Sequence, residues 1–256
     1  MSANVIVETK HRVKRVEIAR LDKKNALTTA MYAAMADALV AADADAAVRV
    51  ILIHGQPDCF TAGNDLKDFL ERAPHSEGEG EAFRFIRTIA TTKKPIVAAV
   101  GGAAVGIGTT MLLHCDLVFA APGARFQLPF VSLGLVPEAA SSYLLPAIAG
   151  YQRAAELLLL AQPFGAEKAL AAGFVTEIIA QDELLEYARD AAAGLAALPP
   201  ASVQLTKRLM KRSREVLVAE AMAEEGKLFR ERLAGPEAKE AMTAFFEKRK
   251  PDFSKF

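Results

Sequence analysis

The sequence predicts an α/β fold, with a parallel-strand core followed by an all-helical C-terminal part. Two apolar runs of strand length, Val48 to His54 and Ile96 to Val100, each pass through small residues into a helical pattern. Regular alternation of strand and helix implies parallel pairing, because parallel neighbours need a crossover between them. From Asp182 onward the chain reads almost entirely as helix, with breaks at Leu198-Pro199-Pro200 and Gly235-Pro236.

The elements follow in order. Two short alternating strands open the chain, about Val5 to Thr9 and Val13 to Ile18. An apolar-periodic helix runs from about Thr29 to Ala42. Val48 to His54 reads as a buried strand, and Asp65 to Leu70 as the first turns of the helix after it. Glu71 to Gly80 is rich in acids, Gly, Pro and Ser, and reads as a solvated loop. Ile96 to Val100 leads into an apolar helix from Thr109 to Leu113. A further strand–turn–helix unit begins at Cys115.

Composition narrows the function. A chain of 256 residues can bury a large core, as one domain plus an appendage. The hydrophobic fraction of 52% and mean hydropathy of +0.18 point to extra burial at subunit interfaces. The 31 basic and 31 acidic residues cancel, and no basic stripe with interleaved aromatics favours nucleic acid. No apolar stretch is long enough to span a bilayer, and Met1 to Thr9 lacks the apolar core of a signal peptide. Alanine-rich usage points to a bacterial source and hence the cytoplasm. The ending Phe253-Ser254-Lys255-Phe256 departs from the Ser-Lys-Leu peroxisomal address. Cys59 and Cys115 are too few for a disulfide framework and read as structural thiols. His11, His54, His75 and His114 lack metal-ligand spacing, so no metal site is expected.

Three segments carry chemistry. Glu138 is the only carboxylate between Asp116 and Glu156, and its neighbours are apolar or small. In such a setting the anion loses solvation, the pKa rises, and the group becomes a candidate general base. On its own, Glu138 reads more simply as a loop acid turned outward or as a cap for a helix starting near Ala139, and it is the other two segments that favour the base. The other two segments are Cys59 to Leu66 and Ala98 to Thr110, each a strand running through a small-residue turn into a helix. Such turns let a ligand approach the backbone and present N–H groups to a negative oxygen. Tight packing explains their glycines as well.

Together, in this order, these segments resemble the crotonase superfamily of enoyl-CoA hydratases and isomerases. The resemblance runs over nearly the whole chain. It includes Lys23-Lys24-Asn25-Ala26-Leu27, the Phe60 to Leu66 and Gly101 to Gly108 turns, Cys115 to Val118, Ala124-Arg125-Phe126, Ala166 to Thr176 and Phe246 to Pro251. Ala62-Gly63-Asn64-Asp65-Leu66 and Pro137 to Tyr143 look most like the peroxisomal-type Δ3,Δ2-enoyl-CoA isomerases.

The resemblance implies a ββα-repeat core over residues 1–195 and a helical oligomerisation or lid region over 196–256. It also implies a homotrimer or dimer of trimers. It implies an acyl-CoA substrate, with no cofactor beyond the coenzyme A of the substrate itself. Hydratases of the family carry two glutamates, at the positions of Thr110 and Phe130 here, and neither acid is present. A lone Glu138 fits a double-bond shift, in which one group moves one proton between two carbons. The resemblance further implies backbone oxyanion donors at Ala62 and Ile107, the latter usually glycine. It places substrate contacts at Ala62, Gly63, Asn64, Asp65, Leu66, Lys24 and Ala26. Phe69, Phe130 and Leu135 are the expected acyl wall. Other chemistries of the superfamily (hydration, thioester hydrolysis or a lyase reaction) and a non-catalytic acyl-CoA binder are the alternatives.

Overall fold

The computed structural model describes residues 2–68 and 80–256. Strands β1 (Val5–Lys10) and β2 (Val13–Ile18) form an antiparallel hairpin. Its turn residues His11 and Arg12 are both left-handed, at φ 50° and 67°, the conformation a tight two-residue hairpin needs. β2 then pairs in parallel with β3 (Val50–His54), β3 with β5 (Ile96–Val100), and β5 with β7 (Leu117–Ala120). β10 (Glu177–Ile178) closes this six-stranded sheet beside β7.

Every residue of β3 and β5 is buried, which is what cover on both faces requires. The described helices before the C-terminal region are, in order, α1 (Thr29–Ala44), α2 (Glu81–Thr91), α3 (Ile107–Thr110), α4 (Ser141–Ala149), α5 (Tyr151–Leu159), α6 (Ala166–Ala171) and α7 (Leu184–Ala197), of which α1 and α2 cover one face of β3 and β5 and α7 the other. Alternate residues of the strands serve opposite faces. Ile51, Ile53, Ile96 and Ala98 join the core with Met31, Met35 and Leu39 of α1 and Phe85 and Ile89 of α2. Val50, Leu52, Val97 and Ala99 pack instead on Leu184, Ala188, Ala192 and Ala196 of α7.

A second sheet runs β4 (Cys59–Thr61), β6 (Ala103–Val105), β8 (Arg125–Gln127) and β9 (Phe164–Gly165). β3, β5 and β7 each continue within a few residues into the neighbouring short strand β4, β6 or β8. This is the ββα repeat of the crotonase fold. The crossing is tight at Gly102, whose φ is +66° and where a Cβ would lie 1.8 Å from the Asp58 carbonyl oxygen. Only glycine fits there.

The C-terminal helices are α8 (Pro200–Lys211), α9 (Glu215–Leu233) and α10 (Pro236–Phe246). Buried Lys207 ties α8 to the core, donating to the Asp116 carboxylate and to the Lys94 carbonyl, each at 2.7 Å. α7 runs through the expected division at residue 195 and packs wholly on the first sheet. The break in the helical region therefore falls at Leu198-Pro199, where proline removes a backbone donor. The apolar helix expected from Thr109 starts at Ile107 and tightens to a 3-10 turn over Met111–His114. The expected helix at Ala139 starts at Ser141, because Ala139 and Ala140 are left-handed. Phe69, Leu70 and all but Gly80 of the solvated loop expected over Glu71 to Gly80 lie outside the described residues.

Candidate active site

The two small-residue turns lie side by side. They leave the ends of the adjacent parallel strands β4 and β6, with Thr61 opposite Ala104. Glycine permits the close approach. Gly63 has φ +89°, and a Cβ there would sit 2.8 Å from the Val105 carbonyl oxygen. A Cβ on Gly108 would sit 2.6 Å from Cγ2 of Thr61.

The first turn is laced to the segment before α1. Leu27 N–H donates to the Gly63 carbonyl at 2.8 Å, and Asp65 N–H to the Leu27 carbonyl at 2.9 Å. Fully buried Asn25 donates to the carbonyls of Cys59 (2.9 Å) and Phe60 (3.2 Å), and Thr61 Oγ1 donates to the Asn25 carbonyl at 2.7 Å.

This lacing changes two sequence expectations. The Ala62 N–H donates to the Lys24 carbonyl at 3.0 Å, so it is engaged within the fold and does not face a ligand. The Asp65 carboxylate pairs with Arg20 at 2.7 Å and accepts the N–H groups of Lys67 and Asp68 at 3.1 and 3.2 Å, which makes it a fastener of the turn. Among the described residues no acceptor takes the N–H of Asn64 or that of Ile107, the first residue of α3. These two amides, one from each turn, are available donors, as are those of Leu66 and Gly108 one or two residues further on. Sequence reasoning missed Arg20 and the lacing role of Asn25. The one signal was the Lys23 to Leu27 run, a match without a mechanism.

Glu138 lies beyond β8 and is 5% exposed. Its Oε1 accepts the Thr110 hydroxyl at 3.4 Å, so α3 carries both an available amide at its start and a contact to the acid one turn later. Burial, reinforced by the negative charge of Glu225 and opposed by the Thr110 hydroxyl, lifts Glu138 from 4.5 to about 8. Tyr32 of α1 stands within electrostatic reach. Its phenol is pushed well above 10.0 by burial and then by Glu138, and its hydroxyl donates to Asn64 Oδ1. The Asn64 turn, Tyr32, Glu138, Thr110 and Ile107 thus form one cluster.

The backbone beside Glu138 is unusual. Ala139 and Ala140 have φ 59° and 55°, a region that costs L residues energy and that active sites tend to retain. His114 Nε2 donates to the Ala139 carbonyl at 2.8 Å. Burial, with Lys211 nearby, lowers His114 to about 3, so it is a neutral donor of fixed tautomer.

The raised Glu138 value has a stability consequence. The folded state holds this proton more tightly than the unfolded chain does, so its stabilising effect is full below about pH 4.5 and is lost as pH rises through about 8. Glu138→Gln removes that pH dependence. The variant is expected to gain on the wild type in chemical denaturation at pH 9 by on the order of a few kcal/mol. Equal midpoints at pH 6 and pH 9 would contradict the desolvated acid.

The remaining expected contacts sort by position. The Lys24 side chain is exposed at the first turn, and the Ala26 carbonyl accepts Arg20 at 2.9 Å. Leu66 is partly buried at the start of the helix that follows. Phe130 and Leu135 are buried in the main core with Ile107, Met111 and Ala139. Leu135 also lines a surface groove of about 440 Å³ with Val131, Phe253 and Phe256, and Glu138 is not part of it. Among the described residues no group of three or more His, Cys, Asp or Glu is arranged to hold a metal, and no helix is long and apolar enough to cross a membrane.

Two largely parallel sheets carrying two small-residue turns with free amides, beside one desolvated carboxylate, are the arrangement of an α/β enzyme. The chain belongs to the enoyl-CoA hydratase/isomerase family, whose model matches residues 8–255. The 2,3-dehydroadipyl-CoA hydratase of Escherichia coli K12 is 32% identical over 98% of both chains. Enoyl-CoA delta isomerase 2 of Rattus norvegicus is 33% identical over 95% of this chain and 63% of its own. The crystal structure of an enoyl-CoA hydratase/isomerase from Pseudoalteromonas atlantica T6c superposes with a TM-score of 0.93. It is 43% identical and covers 98% of this chain and 100% of that one. Hydratase is the more frequent name among the relatives.

Proposed function

We propose that the protein is a Δ3,Δ2-enoyl-CoA isomerase. The observation that carries this reading is that Glu138 is the one available carboxylate of the site among the described residues, with Thr110 and Phe130 where the family's hydratases hold acids. Glu225, the nearby buried acid, has both oxygens bonded to the Ala140–Ser142 turn and is no partner for a water.

In this mechanism the thioester carbonyl accepts the N–H groups of Asn64 and Ile107. The first replaces the donor expected at Ala62. Polarising the carbonyl acidifies the C2 proton, and negative charge builds on the oxygen in the dienolate. Glu138 takes the C2 proton and returns it at C4, leaving the conjugated 2-enoyl thioester. The step is redox-neutral and moves one proton, so it requires no metal or redox cofactor. Lys24, Ala26, Gly63 and Leu66 line the approach of the coenzyme A moiety, and Phe130 and Leu135 form part of the acyl wall. Exposed Leu209, Met210 and Val216 on α8 and α9 supply the apolar surface for the homotrimer, or dimer of trimers, that we propose. We place the enzyme in the cytoplasm.

A panel of 3-enoyl-CoA chain lengths, followed by absorbance of the conjugated product, tests the reading. No turnover across the panel would reject it. With 2-enoyl-CoA as substrate, formation of 3-hydroxyacyl-CoA is expected to be absent or marginal, since water addition needs a second acid or base that Thr110 and Phe130 do not supply. Efficient hydration would reverse the assignment in favour of the hydratases. The kcat/KM for isomerisation is expected to rise with pH, to reach half its maximum near 8, where free Glu138 loses its proton, and to level off above that. A profile already flat from pH 5 would show that Glu138 is not the titrating base.

A further inference from the structure

We propose that Glu225, on helix α9, is a positioning residue for Glu138. It holds the left-handed Ala139-Ala140 turn and occupies the amides at the start of α4, leaving Glu138 without a backbone donor. The proposal rests on Glu138 being the reacting carboxylate.

An acid placed just before a helix ordinarily caps it, because the first amides lack partners and the helix dipole favours an anion. Glu138 occupies that place but does not cap with its side chain. Its carbonyl accepts the Ser141 N–H at 3.0 Å and the Ser141 hydroxyl at 2.6 Å. The capping anion comes from Glu225 instead. Oε2 of Glu225 accepts the Ala140 N–H at 2.6 Å. Oε1 accepts the Ser142 N–H at 2.9 Å and the Ser142 hydroxyl at 2.5 Å. Glu225 is 6% exposed, so these bonds form away from water.

The turn is therefore gripped from two sides. His114 holds the Ala139 carbonyl at 2.8 Å, and Glu225 holds the Ala140 amide. Between these grips two alanines adopt φ values that a Cβ disfavours, which a turn keeps only when its surroundings fix it. The result is a division of labour between two carboxylates at one helix start. Glu225 is satisfied by three donors. Glu138 faces Tyr32 from α1, the Thr110 hydroxyl from α3, neutral His114 behind its turn and the negative charge of Glu225 from α9. Burial raises both carboxyls, but the Ser142 and Ala140 hydrogen bonds pull Glu225 back toward the anion where Glu138 has only the Thr110 hydroxyl, and such a difference is how one acid becomes a base and the other a support.

Glu225→Gln tests this in the full-length enzyme. Glutamine keeps one acceptor but turns an NH2 toward a backbone N–H, so one side of the grip is lost. We expect kcat for 3-enoyl-CoA to fall about tenfold or more, as for displacement of a reacting group, with KM within about twofold. Independently of substrate, the Glu138 carboxyl titration is expected to shift downward by about one pH unit, because a like charge is gone. Infrared difference spectra against Glu138→Gln read that titration. Adding Ala140→Gly to Glu225→Gln, which suits a left-handed site, should recover part of kcat and leave the shifted titration in place.

A folded Glu225→Gln enzyme with wild-type kcat and an unmoved titration would overturn the proposal and leave Glu225 as a docking contact for α9. If Glu225→Gln does not fold, Ser142→Ala decides: it removes one bond to Glu225 but keeps the charge, so kcat should fall with the Glu138 titration unmoved, and an unchanged kcat overturns the proposal. Failure of the isomerase reading shows separately, as absence of wild-type turnover with the titration shift intact.

Discussion

Glu138→Gln is expected to slow double-bond migration at least about a hundredfold, the lower end of what a general base contributes. Glutamine keeps the shape and the Thr110 contact but cannot accept the C2 proton. Nothing else described in the cluster replaces it. The Tyr32 phenol is held protonated by burial, and both oxygens of Glu225 are committed to backbone and Ser142 donors. Binding of acyl-CoA should survive, because the Asn64 and Ile107 amides and the first turn are untouched. Stopped-time product absorbance gives kcat, and titration calorimetry with a saturated acyl-CoA gives binding. Turnover within a few-fold of wild type would remove Glu138 from the mechanism.

Much of this was legible in the sequence, and the limits have physical causes. Apolar runs alternating with helices gave the parallel sheet, since β3 and β5 must be covered on both faces. The isolation of Glu138 among apolar residues stood in for its burial. Ala139 and Ala140 carried no warning, because alanine is the best helix former and propensity alone extends α4 back over them. The identity of the first oxyanion donor was also hidden. A small-residue turn shows that amides are exposed, but not which of them a distant carbonyl already takes. Lys24 and Leu27 decide that, from more than thirty residues upstream. Asp65 looked like a ligand contact because its partner, Arg20, sits 45 residues earlier. Glu225 lay in a helix whose sequence speaks only of packing, and its role exists only through the Ala140–Ser142 turn.

Asn64→Pro is expected to lower kcat by about a hundredfold to a thousandfold, the usual effect of deleting one oxyanion donor. Proline has no N–H, and the glycine before it tolerates the restriction that proline imposes. Two comparisons separate chemistry from folding. Asn64→Ala keeps the amide and loses only the acceptor of the Tyr32 hydroxyl, so its effect should stay within about tenfold. Ala62→Pro deletes the amide that the Lys24 carbonyl holds at 3.0 Å, and should register first as a stability loss of about 1–3 kcal/mol. The order therefore discriminates between the two residues of the turn. If Asn64 is the donor, Asn64→Pro stays folded and inactive while Ala62→Pro melts earlier. If Ala62 is the donor, a folded Asn64→Pro enzyme turns over near the wild-type rate. Near-UV circular dichroism and thermal melts on the same preparations used for kinetics supply both readings. The first outcome would fix the first-turn donor as the Asn64 amide at the end of β4, beside the turn that leaves the adjacent parallel strand β6, which is where two backbone donors can reach one carbonyl oxygen.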